Sequence, residues 1–128
     1  VNLIEVYNPS QAVMAAKAGA TNTTVAVGAI DDFGYAGLEV LRGVANMYSS
    51  LGVATSTIGA DLRTTHRVVR SLYNGADTVV LTPKVFWEMI EHPITVKNIA
   101  DSYKPDEVND ELTKLWDGGS IIRAFDLG

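Results

Sequence analysis

Stretches of β-branched and small apolar residues alternate along this chain with stripes of apolar residues at helical spacing, and the alternation occurs four times. Val1 to Tyr7 (VNLIEVY) carries Leu3, Ile4 and Val6 in a β-rich run, and Asn8-Pro9-Ser10 supplies a turn and a helix start. Gln11 to Ala18 is alanine-rich and predicts a helix ending at Gly19. Thr21 to Gly28 (TNTTVAVG) predicts a second strand, followed by an acidic loop, Ala29-Ile30-Asp31-Asp32-Phe33-Gly34. From Tyr35 to Leu51, Leu38, Leu41, Val44, Ala45 and Tyr48 fall on one helical stripe that Gly52 closes. Ala54 to Gly59 is a third strand, and Arg63 to Tyr73 a helix with Val68, Val69, Leu72 and Tyr73 apolar. Thr78 to Thr82 (TVVLT) reads as a short buried strand, and Pro83 opens a helix where its missing N–H costs nothing.

Four strand-then-helix units with short connections predict an α/β fold with a parallel sheet and right-handed crossovers. The helix ends Ala18-Gly19-Ala20 and Asn74-Gly75-Ala76 both feed strands, either as one module used twice or as shared helix-stop chemistry. After His92-Pro93 the pattern changes to helices over Ile94 to Tyr103 and Pro105 to Trp116, a Gly118-Gly119 break and an amphipathic end, Ser120 to Leu127. Residues 1–93 and 94–128 therefore read as a (βα)4 body and a helical extension.

Composition narrows the partners. The 128 residues hold ten Lys plus Arg against fifteen Asp plus Glu, a formal charge of −5, which argues against a nucleic-acid binder. There is no cysteine, hence no disulfide, thiol nucleophile or thiolate metal site. Apolar runs are far too short for a membrane span, and a cytoplasmic protein is expected. The chain opens at Val1, inside an expected strand, which leaves room for a preceding portion. Four βα units alone would leave two open strand edges and a half-closed interior, so a homo-oligomer or a complementing half-barrel chain is the expected partner.

Gln11-Ala12, Ala18-Gly19-Ala20, Val27-Gly28-Ala29-Ile30-Asp31-Asp32, Gly59-Ala60-Asp61-Leu62-Arg63, Gly75-Ala76-Asp77 and His92-Pro93-Ile94-Thr95 follow one another in an order and spacing that resembles the second half of a transaldolase or fructose-6-phosphate aldolase barrel. The resemblance runs from about Val1 to Tyr103 and implies strands five to eight of a TIM-type (β/α)8 barrel. It implies a Schiff-base lysine on strand four, which no lysine here matches: Lys17, Lys97, Lys104 and Lys114 read as surface or tail residues, and Lys84 as solvated. The family's water-positioning threonine falls at or near Ile4 and its next-strand aromatic at Ala26. Its phosphate-binding arginine matches Ala29, and the serine of its Ala-Ser-x-Arg motif matches Asp61, leaving Arg63 alone. An aspartate there would repel a phosphate dianion by about a kcal/mol or more.

In such a barrel the functional face gathers the C-terminal ends of the strands: Glu5, Tyr7, Asp31, Asp32, Asp61, Arg63 and Thr82. Arg63, Asp61, Tyr7 and Asp31 are the candidate contacts for a sugar or sugar-phosphate ligand; no catalytic residue, metal ligand or cofactor is assigned. Asp61 and Arg63 could bind an alcohol or amine, or form a salt bridge at a helix start with Asp61 as N-cap. Asp31-Asp32 suits a cation or, more simply, a solvated loop. His66 lies among Arg63, Arg67 and Arg70 on what reads as an outer helix face, and His92 at a helix end where an imidazolium suits the dipole. Two functions follow: a half-barrel without the lysine, inactive alone and serving assembly or small-ligand binding, or an aldolase/transaldolase on sugar phosphates once joined to a lysine-bearing N-terminal half.

Overall fold

The computed structural model describes residues 1–102; the helix expected over Pro105 to Trp116, the glycine break and the amphipathic end lie outside them. The order of elements is β1 (Asn2–Val6), α1 (Pro9–Lys17), β2 (Asn22–Ala26), α2 (Val27–Asp32), α3 (Gly37–Leu51), β3 (Ser56–Ala60), α4 (Thr65–Tyr73), β4 (Thr78–Val79), α5 (Pro83–Ile90) and α6 (Pro93–Ser102). The strands form one parallel sheet in the order β1-β2-β3-β4, so all four are consecutive neighbours. The result is an α/β fold consistent with part of a TIM-barrel-like unit.

Alternation along the strands sorts the sheet into two unlike faces. Thr23 and Val25 of β2 and Thr57 and Gly59 of β3 are buried under helices. A methyl group built on Gly59 would lie 3.4 Å from Ser71 Cβ and 3.6 Å from Leu41 Cδ1, so α3 and α4 both press on that point. Leu41, Val44 and Tyr48 of α3, with Ala12 of α1 and Val68 of α4, complete the core. The Tyr48 hydroxyl donates to the Ala12 carbonyl oxygen at 2.7 Å and lies 2.6 Å from the Thr23 hydroxyl, which donates to it in turn. On the opposite face Asn22, Thr24, Ala26, Ser56, Ile58 and Ala60 are each only half-buried, and Ile4 is 59% exposed.

Several expectations shift. The acidic stretch after β2 is not a loop: the strand ends at Ala26, and Val27–Asp32 turns helically, burying Val27, Gly28 and Ile30. Alternation cannot reveal this, because Val27 and Gly28 continue the apolar β composition. The Asn8 side chain, not a proline effect alone, starts α1 by accepting from Gln11 N–H at 2.9 Å. Thr64, not Asp61, is the N-cap of α4, its hydroxyl accepting from Arg67 N–H at 3.2 Å. Helix α4 therefore begins two residues later than expected. Strand β4 is two residues long, although Val80 N–H still donates to Gly59 O at 2.9 Å. Both glycine stops behave alike: Gly19 and Gly75 have φ of +87° and +101°, and the alanine after each donates to a carbonyl five residues back, Ala15 and Ser71.

Contacts group Val1–Val85 into one unit, and a second begins at Phe86. In the second, the Phe86 and Trp87 rings meet edge-on at 5.2 Å, and His92 Nδ1 accepts from Ile94 N–H at 3.2 Å. His92 thus caps the helix that follows it. Among the described residues no helix is long and apolar enough to cross a membrane.

Tyr48→Phe leaves the Ala12 carbonyl and the Thr23 hydroxyl without their buried partner. We expect a loss of about 1–3 kcal/mol in urea unfolding with an unchanged m-value; an unchanged midpoint would show that the hydroxyl is dispensable.

Candidate functional site

The polar cluster after β3 is held by an unusual backbone. Asp61 follows the last residue of β3 with φ +54°, a left-handed conformation that Asp tolerates better than most residues. Its carbonyl accepts from Gly28 N–H at 3.2 Å, and a Cβ on Gly28 would come within 2.5 Å of Asp61 Oδ2, so only glycine allows this approach. The start of α2 is thereby seated against the end of β3.

Arg63 lies across this junction. Its Nε donates to Asp61 Oδ1 at 3.2 Å and one Nη2 hydrogen to Asp61 Oδ2 at 3.0 Å. Its Nη1 and Nη2 donate to Asp32 Oδ1 and Oδ2 at 2.8 and 2.7 Å. Two carboxylates thus grip one guanidinium on two edges, each bidentately. The hydrogen bonds from Arg63 hold the Asp32 carboxyl below the usual carboxylate range, and the same pairs raise Arg63 further above its own. Arg63 and Asp32 remain more than half exposed, at 55% and 56% of their side-chain surface, so solvent screens the pair.

Asp31 is employed differently. Its Oδ1 accepts from Gly37 N–H at 2.8 Å, fastening the start of α3, and its Oδ2 pairs with Arg67 of α4 at 3.2 Å. Arg67 therefore faces α2 and is not part of an outward basic stripe. Both acids are thus held by protein partners.

Tyr7 owes its position to a bulge. Leu3 pairs with Thr23 and Val6 with Val25, so β1 advances three residues while β2 advances two, and Glu5 absorbs the difference at φ +62°. The bulge buries Val6 and brings the Tyr7 hydroxyl onto the Glu5 carboxylate, a hydrogen bond that raises the phenol pKa. Tyr7 also donates its N–H to Gln11 Oε1 at 2.8 Å.

Two cavities flank the cluster. One, of about 310 Å³, is lined by Asp61, Arg63, Leu81, Thr82 and Lys84 among others. The other, of about 690 Å³, is lined by Tyr7, Ile30, Phe33 and Tyr35 among others and is more apolar. Asp61 and Arg63 are thus together as expected, whereas Tyr7 lines the other cavity and Asp31 lines neither. Lys84, read from sequence as simply solvated, is exposed but faces the Arg63 cavity, and Asp32 was overlooked as the stronger partner of Arg63. The available signal was the position of Lys84 two residues beyond the end of the expected strand, Thr78 to Thr82.

Comparison with known proteins places the chain. Residues 1–119 match the family described as transaldolase/fructose-6-phosphate aldolase. A probable transaldolase of Caulobacter vibrioides (strain NA1000 / CB15N) is 34% identical over 103 residues, which cover 80% of this chain and 48% of that protein. One from Bartonella bacilliformis (strain ATCC 35685 / KC583 / Herrer 020/F12,63) is 38% identical over 98 residues, 77% of this chain and 45% of that protein. This chain belongs to the transaldolase/fructose-6-phosphate aldolase family, and it spans about half the length of the relatives it matches. Among solved structures, mandelate oxidase with benzoyl-formic acid aligns at a TM-score of 0.50 and 18% identity, covering 79% of this chain and 30% of that one, a likeness of fold alone.

The depressed Asp32 pKa gives a signed expectation. A carboxyl whose folded pKa lies below its unfolded value contributes stability at pH above the unfolded value, about 3.9, and loses it as pH falls through the folded pKa. The urea midpoints of wild type and Asp32→Asn should therefore converge as pH falls below about 3.9, and also in high salt. A gap that is constant in both would mean the pair contributes no electrostatic stability.

Proposed function

We propose that this chain is a half-barrel of the transaldolase type, four adjacent staves that serve assembly and bind a small hydroxylated ligand at the C-terminal ends of the strands, without aldol chemistry of its own. The observation that carries this reading is the unlike pair of sheet faces. Parallel sheets are stable when both faces are covered, yet among the described residues the helices bury only the Thr23–Val25–Thr57–Gly59 side. The other side carries small and polar residues with Ile4 and Ile58, the composition of a barrel interior awaiting its remaining strands. Among the described residues β1 and β4 are the outer strands of the sheet, and their edges suit pairing with another half-barrel, a second copy or a complementing chain.

In the ligand role Arg63 and Asp61 line the cavity, with Thr82 and Lys84 on its other wall. Tyr7 and Asp31 act at one remove, Tyr7 in the neighbouring cavity and Asp31 by fastening α3. Ile4, Ala26, Ala29 and Asp61 stand where the resemblance expects a threonine, an aromatic, an arginine and a serine, which supports inactivity of the chain alone. The relatives, named probable transaldolases and about twice as long, support the second reading: the same four staves form an aldol enzyme acting on sugar phosphates when a lysine-bearing half completes the barrel.

Two measurements test this. Light scattering should return a mass of at least a dimer, and a monodisperse monomer would remove the assembly role. Incubation with dihydroxyacetone and borohydride should leave every lysine unmodified by mass spectrometry; an adduct, at Lys84 above all, would show imine chemistry in the chain itself.

A further inference from the structure

We propose that the cavity beside Arg63 selects an uncharged, hydroxyl-rich ligand over a phosphorylated or carboxylated one, and that Asp32 and Asp61 set this choice by occupying both recognition edges of the guanidinium; the inference deepens the ligand-binding part of the function proposed above and rests on it. A guanidinium has five N–H groups in a rigid fork and takes an oxyanion by presenting two parallel donors along one edge. On Arg63 the Nε/Nη2 edge is filled by Asp61 and the Nη1/Nη2 edge by Asp32, so four donors are used and one, on Nη1, is left. An incoming phosphate would have to displace a carboxylate already held at 2.7–2.8 Å, and would then sit beside it as a like charge.

What remains open on this wall is acceptor capacity. The Asp61 carboxylate, which lines the cavity, offers about four lone-pair positions, of which Arg63 uses two. Hydroxyl groups are the donors that suit them without introducing charge. On the facing wall Thr82 Oγ1 accepts from Val85 N–H at 3.3 Å, which leaves its O–H to donate, and Lys84 can donate to a ligand oxygen. Lys84 is exposed and has no fork geometry, so alone it offers an anion only a screened point charge. Nearby, Asp31, Asp32 and Asp61 balance Arg63, Arg67 and Lys84, so no net positive field draws an anion in. At about 310 Å³ the cavity is the size of a small-molecule site.

The test compares sorbitol with sorbitol phosphate, which differ only in the charged group, by NMR titration of the full chain. Wild type should bind sorbitol more tightly than sorbitol phosphate. Asp32→Asn, which frees one edge at an exposed position and so spares the fold, should strengthen sorbitol phosphate binding about tenfold, and Asp32→Asn with Asp61→Asn further still. Adding Arg63→Ala should abolish that gain. If sorbitol does not bind wild type but the asparagine variants gain the phosphate, the ligand role fails while the anion exclusion stands. Wild-type preference for sorbitol phosphate that is lost in Arg63→Ala, or asparagine variants with no gain, would overturn the inference.

Discussion

The first unit depends on how closely α3 can lie on the sheet. Leu41, Val44 and Tyr48 form its buried stripe, and beneath them the sheet offers Thr23, Val25, Thr57 and Gly59, all short or β-branched. Closeness has a polar cost, since threonine hydroxyls go under the helix with the methyl groups. Tyr48 meets that cost by linking Thr23 to the Ala12 carbonyl in one chain of hydrogen bonds, which also ties α1 to α3. Only the Ser71 hydroxyl, among buried side-chain polar atoms of the described residues, is left without a partner.

Because that packing uses one face of the sheet, the strands' other face and their C-terminal ends are left for different work. α2 packs against α3 and β3 and delivers two adjacent acids to opposite duties: Asp31 to the start of α3 and to Arg67, Asp32 to Arg63. One short helical turn thus couples the framework to the cluster. Its position depends in turn on the bare backbone of Gly28 against Asp61.

The framework was legible in the sequence wherever local chemistry dominates. Helix stops at Gly19, Gly52 and Gly75, the proline start of α5, and the order of four βα units follow from residue types that have few alternatives in those places. What escaped was decided by contacts distant in sequence. Val27-Gly28 carries strand composition yet turns into α2, because Gly28 meets Asp61 thirty-three residues on. Asp61 has a good N-cap side chain, but its left-handed backbone and its grip on Arg63 pass that role to Thr64. Pairing of Arg63 with Asp61 is a two-residue relation that sequence exposes; pairing with Asp32 spans thirty-one residues and does not show. Tyr7 and Arg63 share the C-terminal face by register, but the bulge at Glu5 commits the tyrosine to a separate cavity.

A cluster this exposed has little leverage on stability. Ion pairs at half-exposed positions add little to stability, because solvent screens them and salt weakens them further. The energetic weight of the first unit lies in the α3 packing instead. Four hydrogen bonds to one guanidinium therefore matter chiefly for what they withhold: a group with the geometry to bind an oxyanion is held in a conformation where that geometry is already satisfied. In the ligand role proposed for this rim, recognition falls to the donors and acceptors left unpaired.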